Sequence, residues 1–220
     1  KMNNGIERGL AIAEALKKFI SNKFVCEIGC DNGDVLYGLS KYAKKAIGIE
    51  VNQGPYSEAK QVEYKCDTTI VHADAYSFLK ENTHINPNVF YFWANYRKKT
   101  SGMQWWVERI LELRGTTNPV IIAGLHLQHD SGLQLGSARE IQQIYGGDII
   151  HIPFSVGPEI VNEFGLLVIQ CNGQTVSADR AAPNIDRHTY DQTVTPQYEQ
   201  WIRELSNGNW DSILVDPNDL

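Results

Sequence analysis

Apolar positions along the chain fall into two alternating textures. Short continuous runs at residues 24–26, 46–49, 89–93 and 119–125 have strand length, and one of them, VFYFW, is apolar throughout. Such runs are expected of strands covered on both faces. A further run, TTIVH at 68–72, is rich in β-branched residues, which favour a strand. Between the runs lie segments whose apolar positions recur at helical spacing: 6–20, 35–42, 56–64, 75–81, 103–113 and 137–145. Two last strand-like runs, 148–154 and 164–171, are separated only by a short stretch carrying Val156-Gly157-Pro158. They are close enough to pair as a hairpin.

Strand and helix therefore alternate five times and then give way to two strands with no helix between them. This order predicts an α/β fold: a doubly wound, mainly parallel seven-stranded sheet with helices on both faces. An antiparallel strand from the C-terminal hairpin would complete the sheet. After Cys171 the texture changes; apolar density falls, and Pro183, Pro196 and Pro217 punctuate a polar stretch. The expected organisation is one Rossmann-like domain over 1–171. Residues 172–220 form an extension that packs on the domain, caps its site or joins two copies in a homodimer.

Composition narrows the partners. A formal net charge of -6 argues against nucleic acid as the main partner, because phosphate binding needs clustered Lys and Arg. Arg97-Lys98-Lys99 is the only dense basic cluster, and it reads as a solvated loop. The four cysteines form no Cys-x-x-Cys pair, which suits free thiols in a reducing compartment. No apolar run approaches the ~18 residues needed to span a membrane. No secretory signal is visible, and the expected location is cytoplasmic.

The chemistry concentrates in residues 23–52, KFVCEIGCDNGDVLYGLSKYAKKAIGIEVN. Glu27 ends the first strand, Gly29 and Gly33 shape the following turn, and Glu50 ends the second strand. Glycines at such a turn let a ligand approach the backbone. An acid about 20 residues beyond the turn is placed to hydrogen-bond a ribose. Asp74 ends the third strand in the same way.

Glu27-Ile28-Gly29-Cys30-Asp31-Asn32-Gly33, with Glu50 and Asp74, resembles the first motifs of the class I S-adenosylmethionine-dependent methyltransferases. The family pattern is an acid followed by Gly-x-Gly-x-Gly; here Asp31 replaces the middle glycine. The resemblance covers residues 6–171, including the helix-free strand pair, and implies S-adenosylmethionine as cofactor. It places the cofactor on Glu27, Gly29, Cys30, Asp31, Gly33, Glu50, Val51, Asp74, Ala75 and Trp93. It implies that the turn lies under the methionine part, Glu50 on the ribose hydroxyls and Asp74 at the adenine edge. Charge points the same way: Glu27, Asp31 and Asp34 crowd a turn where a pyrophosphate would want none, but they suit a cationic sulfonium.

The methyl acceptor is less legible. Family members that methylate adenine or glutamine amides carry Asn/Asp-Pro-Pro-Tyr after the fourth strand. This chain has Trp93-Ala94-Asn95-Tyr96, without the proline pair. Asn95 is a candidate to hold the substrate, and Tyr96, Trp105 and Trp106 are candidates to wall its pocket. Trp105 and Trp106 diverge by about 100° on a helix, so at most one should be core. His126 and His129 follow the fifth strand, and either could act as a general base. With Asp130 they fall short of a metal motif, and no metal is expected. The expected activity is methyl transfer to an oxygen or nitrogen of a small molecule. The alternatives are a protein that binds the cofactor without transferring its methyl group, and a nicotinamide-dependent oxidoreductase.

Overall fold

The computed structural model describes residues 4–93, 103–115, 119–126, 131–155 and 161–170. They fold as α1 (Asn4–Ile20), β1 (Phe24–Ile28), α2 (Asp34–Ser40), β2 (Lys45–Glu50), α3 (Gln53–Ala59), β3 (Asp67–His72) and α4 (Ala75–Glu81). Then follow β4 (Val89–Trp93), α5 (Met103–Arg114), β5 (Val120–His126), α6 (Ser131–Tyr145), β6 (Asp148–Ser155) and β7 (Val161–Gln170).

The strands form one seven-stranded sheet in the order β3-β2-β1-β4-β5-β7-β6. β1 to β5 pair in parallel, whereas β7 runs antiparallel to both β5 and β6. The expected hairpin is therefore present, with its second strand inserted beside β5. The chain order reverses between β1 and β4, which makes the C-terminal edge of these two strands the switch point where ligands bind in open α/β sheets.

The faces follow from strand alternation. Cys26, Ile28, Phe90, Phe92, Ile121 and Ala123 face α4, α5 and α6. Val25, Val89, Tyr91, Ile122, Leu166 and Val168 face the opposite side, where α1 and α2 pack. Near β2, Cys30, Leu36, Ala46 and Ala59 close a smaller cluster under α3. The central strands are buried on both faces, as their unbroken apolar runs predict, while β3 at the edge alternates between half-buried and exposed positions.

Two expected helices shift by three residues or more. The helix expected at 56–64 forms at Gln53–Ala59, with Pro55 inside its first turn, where a missing N–H costs nothing. The helix expected at 137–145 begins at Ser131, so that Gly132 and Gly136 lie within it. Each glycine lowers helix propensity by roughly 1 kcal/mol against alanine, which is why this stretch reads as loop. The extension at 172–220 lies outside the described residues.

Candidate functional site

The turn after β1 is held to β2 by its backbone. The N–H groups of Gly29 and Cys30 both donate to the carbonyl of Ile49, at 2.8 and 3.1 Å. Gly29, Asp31 and Gly33 all have left-handed backbones, with φ of 67°, 49° and 86°. Asp31 stands where the family pattern has glycine, and aspartate is among the residues that tolerate this conformation. Its N–H donates to Glu50 Oε2 at 3.0 Å, which ties the strained residue to the end of β2. The glycines serve different ends. A Cβ on Gly33 would collide with the Tyr64 hydroxyl and with Ala59, so packing requires glycine there. A Cβ on Gly29 would meet nothing within 4 Å, so the chain leaves open space above this turn. Gly48 serves the turn from below, because a Cβ there would lie 2.7 Å from Cys30 Sγ and from Leu36.

Glu50 is 5% exposed and organises the neighbouring backbone. Besides the Asp31 bond, its Oε1 accepts from Asn52 N at 2.7 Å and Asn52 Nδ2 at 2.9 Å. Immediately after it, Val51 is 59% exposed, the only large hydrophobic residue so exposed among the described residues. β3 ends beside this point, where the N–H of Ala73 donates to the Glu50 carbonyl at 3.1 Å. Asp74 caps α4, accepting from Ser77 N at 2.8 Å, and Ala75 is buried behind it. His72 and Tyr56, which the sequence did not single out, complete the edge. Their rings stack with centroids 4.8 Å apart, and His72 Nε2 bonds the Val51 carbonyl at 2.9 Å. Only the pairing of β2 with β3 could have revealed them.

Glu27 is 4% exposed and lies on the α1 face, in register with Tyr91 on β4 and Gly48 on β2. Burial pushes its carboxyl well above the ordinary glutamate range. Arg8 of α1 opposes that shift, and the charges of Asp31, Asp34 and Glu50 add to it. Asp34 is engaged with Asn32, whose Nδ2 donates to Asp34 Oδ2 at 3.1 Å. At the end of β4, half-buried Trp93 receives the Arg8 guanidinium 5.9 Å from its ring centroid. Gly124 makes room for this ring, since a Cβ there would lie 2.7 Å from both Trp93 and the Tyr91 hydroxyl.

The acceptor-side candidates are described unevenly. Trp106 is buried against Phe92, while Trp105 is half-buried, so one of the pair is core as expected. Trp105 meets Tyr76 edge-on at 5.4 Å and lies under the Arg109 guanidinium at 5.7 Å. His126 ends β5 with its backbone opposite Phe164. Asn95, Tyr96, His129 and Asp130 lie outside the described residues. Among the described residues, no three His, Cys, Asp or Glu side chains are grouped as a metal site requires.

No protein-family model matches the chain, and no curated protein matches it in sequence. Solved structures do match in fold. The C-terminal domain of precorrin-6Y C5,15-methyltransferase from Rhodobacter capsulatus is 15% identical with a TM-score of 0.54, over 73% of this chain and 87% of that one. The methyltransferase domain of bacterial CtHen1 is 14% identical with a TM-score of 0.54, over 76% of this chain and 100% of that one. A protein from Streptococcus mutans assigned as a SAM-dependent methyltransferase is 14% identical with a TM-score of 0.53, over 72% of this chain and 47% of that one. In fold, this chain is similar to the S-adenosylmethionine-dependent methyltransferases.

Proposed function

We propose that the protein binds S-adenosylmethionine and transfers its methyl group to a small-molecule acceptor. The observation that carries this reading is the pairing of the buried Glu50 carboxylate with the open space over Gly29, at the switch point of the sheet. The residues present fit the cofactor. Glu50 offers fixed oxygens to a ribose, exposed Val51 offers an apolar surface to an adenine, and Gly29 leaves the turn uncovered. The acids Glu27, Asp31 and Asp34 suit a cationic methionine part and repel a pyrophosphate, which disfavours a nicotinamide dinucleotide. When bound, the cofactor supplies an activated methyl group. The chain's own residues position it and hold the acceptor in line.

A small acceptor is favoured over nucleic acid because carboxylates dominate this edge, with Glu27, Glu50, Asp31 and Asp74 all at strand ends or turns. The proposed acceptor contacts are Asn95, Tyr96 and a base at His126 or His129, with residues 172–220 covering the site or joining two copies. Cys26, Cys30 and Cys66 are free thiols, which fits a cytoplasmic setting. No helix among the described residues is long and apolar enough to cross a membrane.

A thermal-shift series tests the reading: S-adenosylhomocysteine should raise Tm and NAD should not. Stabilisation by the dinucleotide alone would overturn the assignment. Binding of labelled S-adenosylmethionine without turnover across an acceptor panel would instead favour a binding protein that transfers nothing. Glu50→Gln should weaken S-adenosylhomocysteine binding by ~1–3 kcal/mol, the scale of losing hydrogen bonds to an ionised group. Calorimetry showing unchanged affinity would move the ribose elsewhere.

A further inference from the structure

Glu27 and Glu50 are the two buried acids among the described residues, and their surroundings differ. Glu50 accepts three hydrogen bonds. Glu27 Oε2 is buried and accepts none, and the hydroxyl of Tyr91, its register partner on β4, is likewise buried without a partner. Among the described residues, the charged groups acting on Glu27 come from four places. They are Arg8 from α1, Asp31 from the turn, Asp34 from α2 and Glu50 from β2. One cation thus meets three acids, and the remaining titratable neighbours, Tyr91, Tyr64 and the thiols of Cys26 and Cys30, are neutral when protonated. A carboxylate with a buried oxygen that no donor reaches, facing net negative charge from its described neighbours, is stabilised most simply by a proton.

Glu27 also lies two residues before Gly29, about 7 Å along an extended strand. A cation resting over the open turn would act on the carboxylate through space without touching it. We propose that Glu27 senses the charge of the ligand over Gly29, holding a proton when the turn is bare and releasing it when a cation arrives. The O–H bond of the carboxylic acid breaks, its electron pair stays on the carboxylate oxygen, and the proton passes to water. The cation then balances the new negative charge. This rests on the cofactor reading above and deepens it: Glu27 is the residue that favours a sulfonium-bearing ligand over its neutral thioether product. It takes the proton back when the sulfonium charge is lost and only the ammonium of the product remains, which weakens the hold on that product. Arg8 acts through Glu27 as a positioning charge, setting the pH range in which the exchange occurs.

Calorimetry of the full chain in two buffers of different ionisation enthalpy tests this, with S-adenosylmethionine and S-adenosylhomocysteine as ligands. The expected result is proton release on binding the sulfonium, up to one per site, and less release with the thioether. Glu27→Gln should abolish the release and reduce the preference for the sulfonium about tenfold. Arg8→Met should move the pH range of release upward, and Arg8→Lys should restore it, so the proposal is testable even if the Glu27 variant folds poorly. Binding of both ligands by the wild type with no proton release overturns the proposal, as does undiminished release in Glu27→Gln. Failure of the wild type to bind either ligand overturns the cofactor reading and this inference with it.

Discussion

Single residues at the turn carry separable burdens. Gly29→Ala places a methyl group in the open space of a left-handed turn, which should cost roughly 1–2 kcal/mol of stability. It should weaken S-adenosylhomocysteine binding more than tenfold; a variant that binds normally would show that no ligand approaches this backbone. Gly33→Ala should behave oppositely, unfolding about 3 kcal/mol more easily in urea, because its Cβ meets the Tyr64 hydroxyl and Ala59. Glu27 leaves a signature in the free protein. Its carboxyl ionises near pH 4.3 in the unfolded chain and at a higher pH when folded. Between those values the folded state binds more protons than the unfolded one, so stability falls as pH rises through the folded value. Urea midpoints measured from pH 4.5 upward should therefore decline less in Glu27→Gln than in the wild type, and parallel curves would contradict the burial argument. At the back of the fold, Arg114 Nε donates to the Ile85 carbonyl at 3.1 Å, and one of its amino groups donates to that of Leu79 at 2.9 Å. Arg114→Met leaves these carbonyls without their partner and should cost about 2–3 kcal/mol in the same assay.

Elements show where sequence reasoning succeeds and where it stops. The strands were legible because their burial on both faces is written as unbroken apolar runs, as in VFYFW of β4. The acids proposed for the cofactor, Glu27, Glu50 and Asp74, were singled out because each stands at or just beyond the end of a predicted strand. Arg8 and Tyr91 were not, because their bearing on Glu27 comes from strand register and from the seat of α1. That seat depends on glycines with no periodic signal. A Cβ on Gly9 would strike the backbone of Asp34, and one on Gly38 would strike that of Gly9, so α1 and α2 cross almost backbone to backbone. Gly38→Ala should separate these helices and cost roughly 2–4 kcal/mol, since backbone cannot yield as a side chain can. Because α1 brings Arg8 to the site, the same variant should also alter the pH dependence of ligand binding. Full retention of stability would mean that the crossing is looser than described.

At the scale of the whole molecule, the chain order of the sheet reverses between the neighbouring strands β1 and β4, and the proposed ligand edge lies at their C-terminal ends. The acceptor was the least legible feature because its candidates, Asn95, Tyr96 and His129, follow the apolar runs of β4 and β5 in sequence, where no hydrophobic periodicity marks a position. The antiparallel strand has a consequence for how the protein is made. β7 is last in sequence among the described strands, yet it lies between β5 and β6, which do not pair with each other. A nascent chain that has emerged only through Ser155 therefore has an unmated β5 edge of seven residues, apolar from Val120 to Leu125. Open apolar edges of this kind recruit other strands. During synthesis, the chain is exposed to aggregation until Gln170 has cleared the ribosome, and the last ten-residue strand closes that window by sliding into the gap.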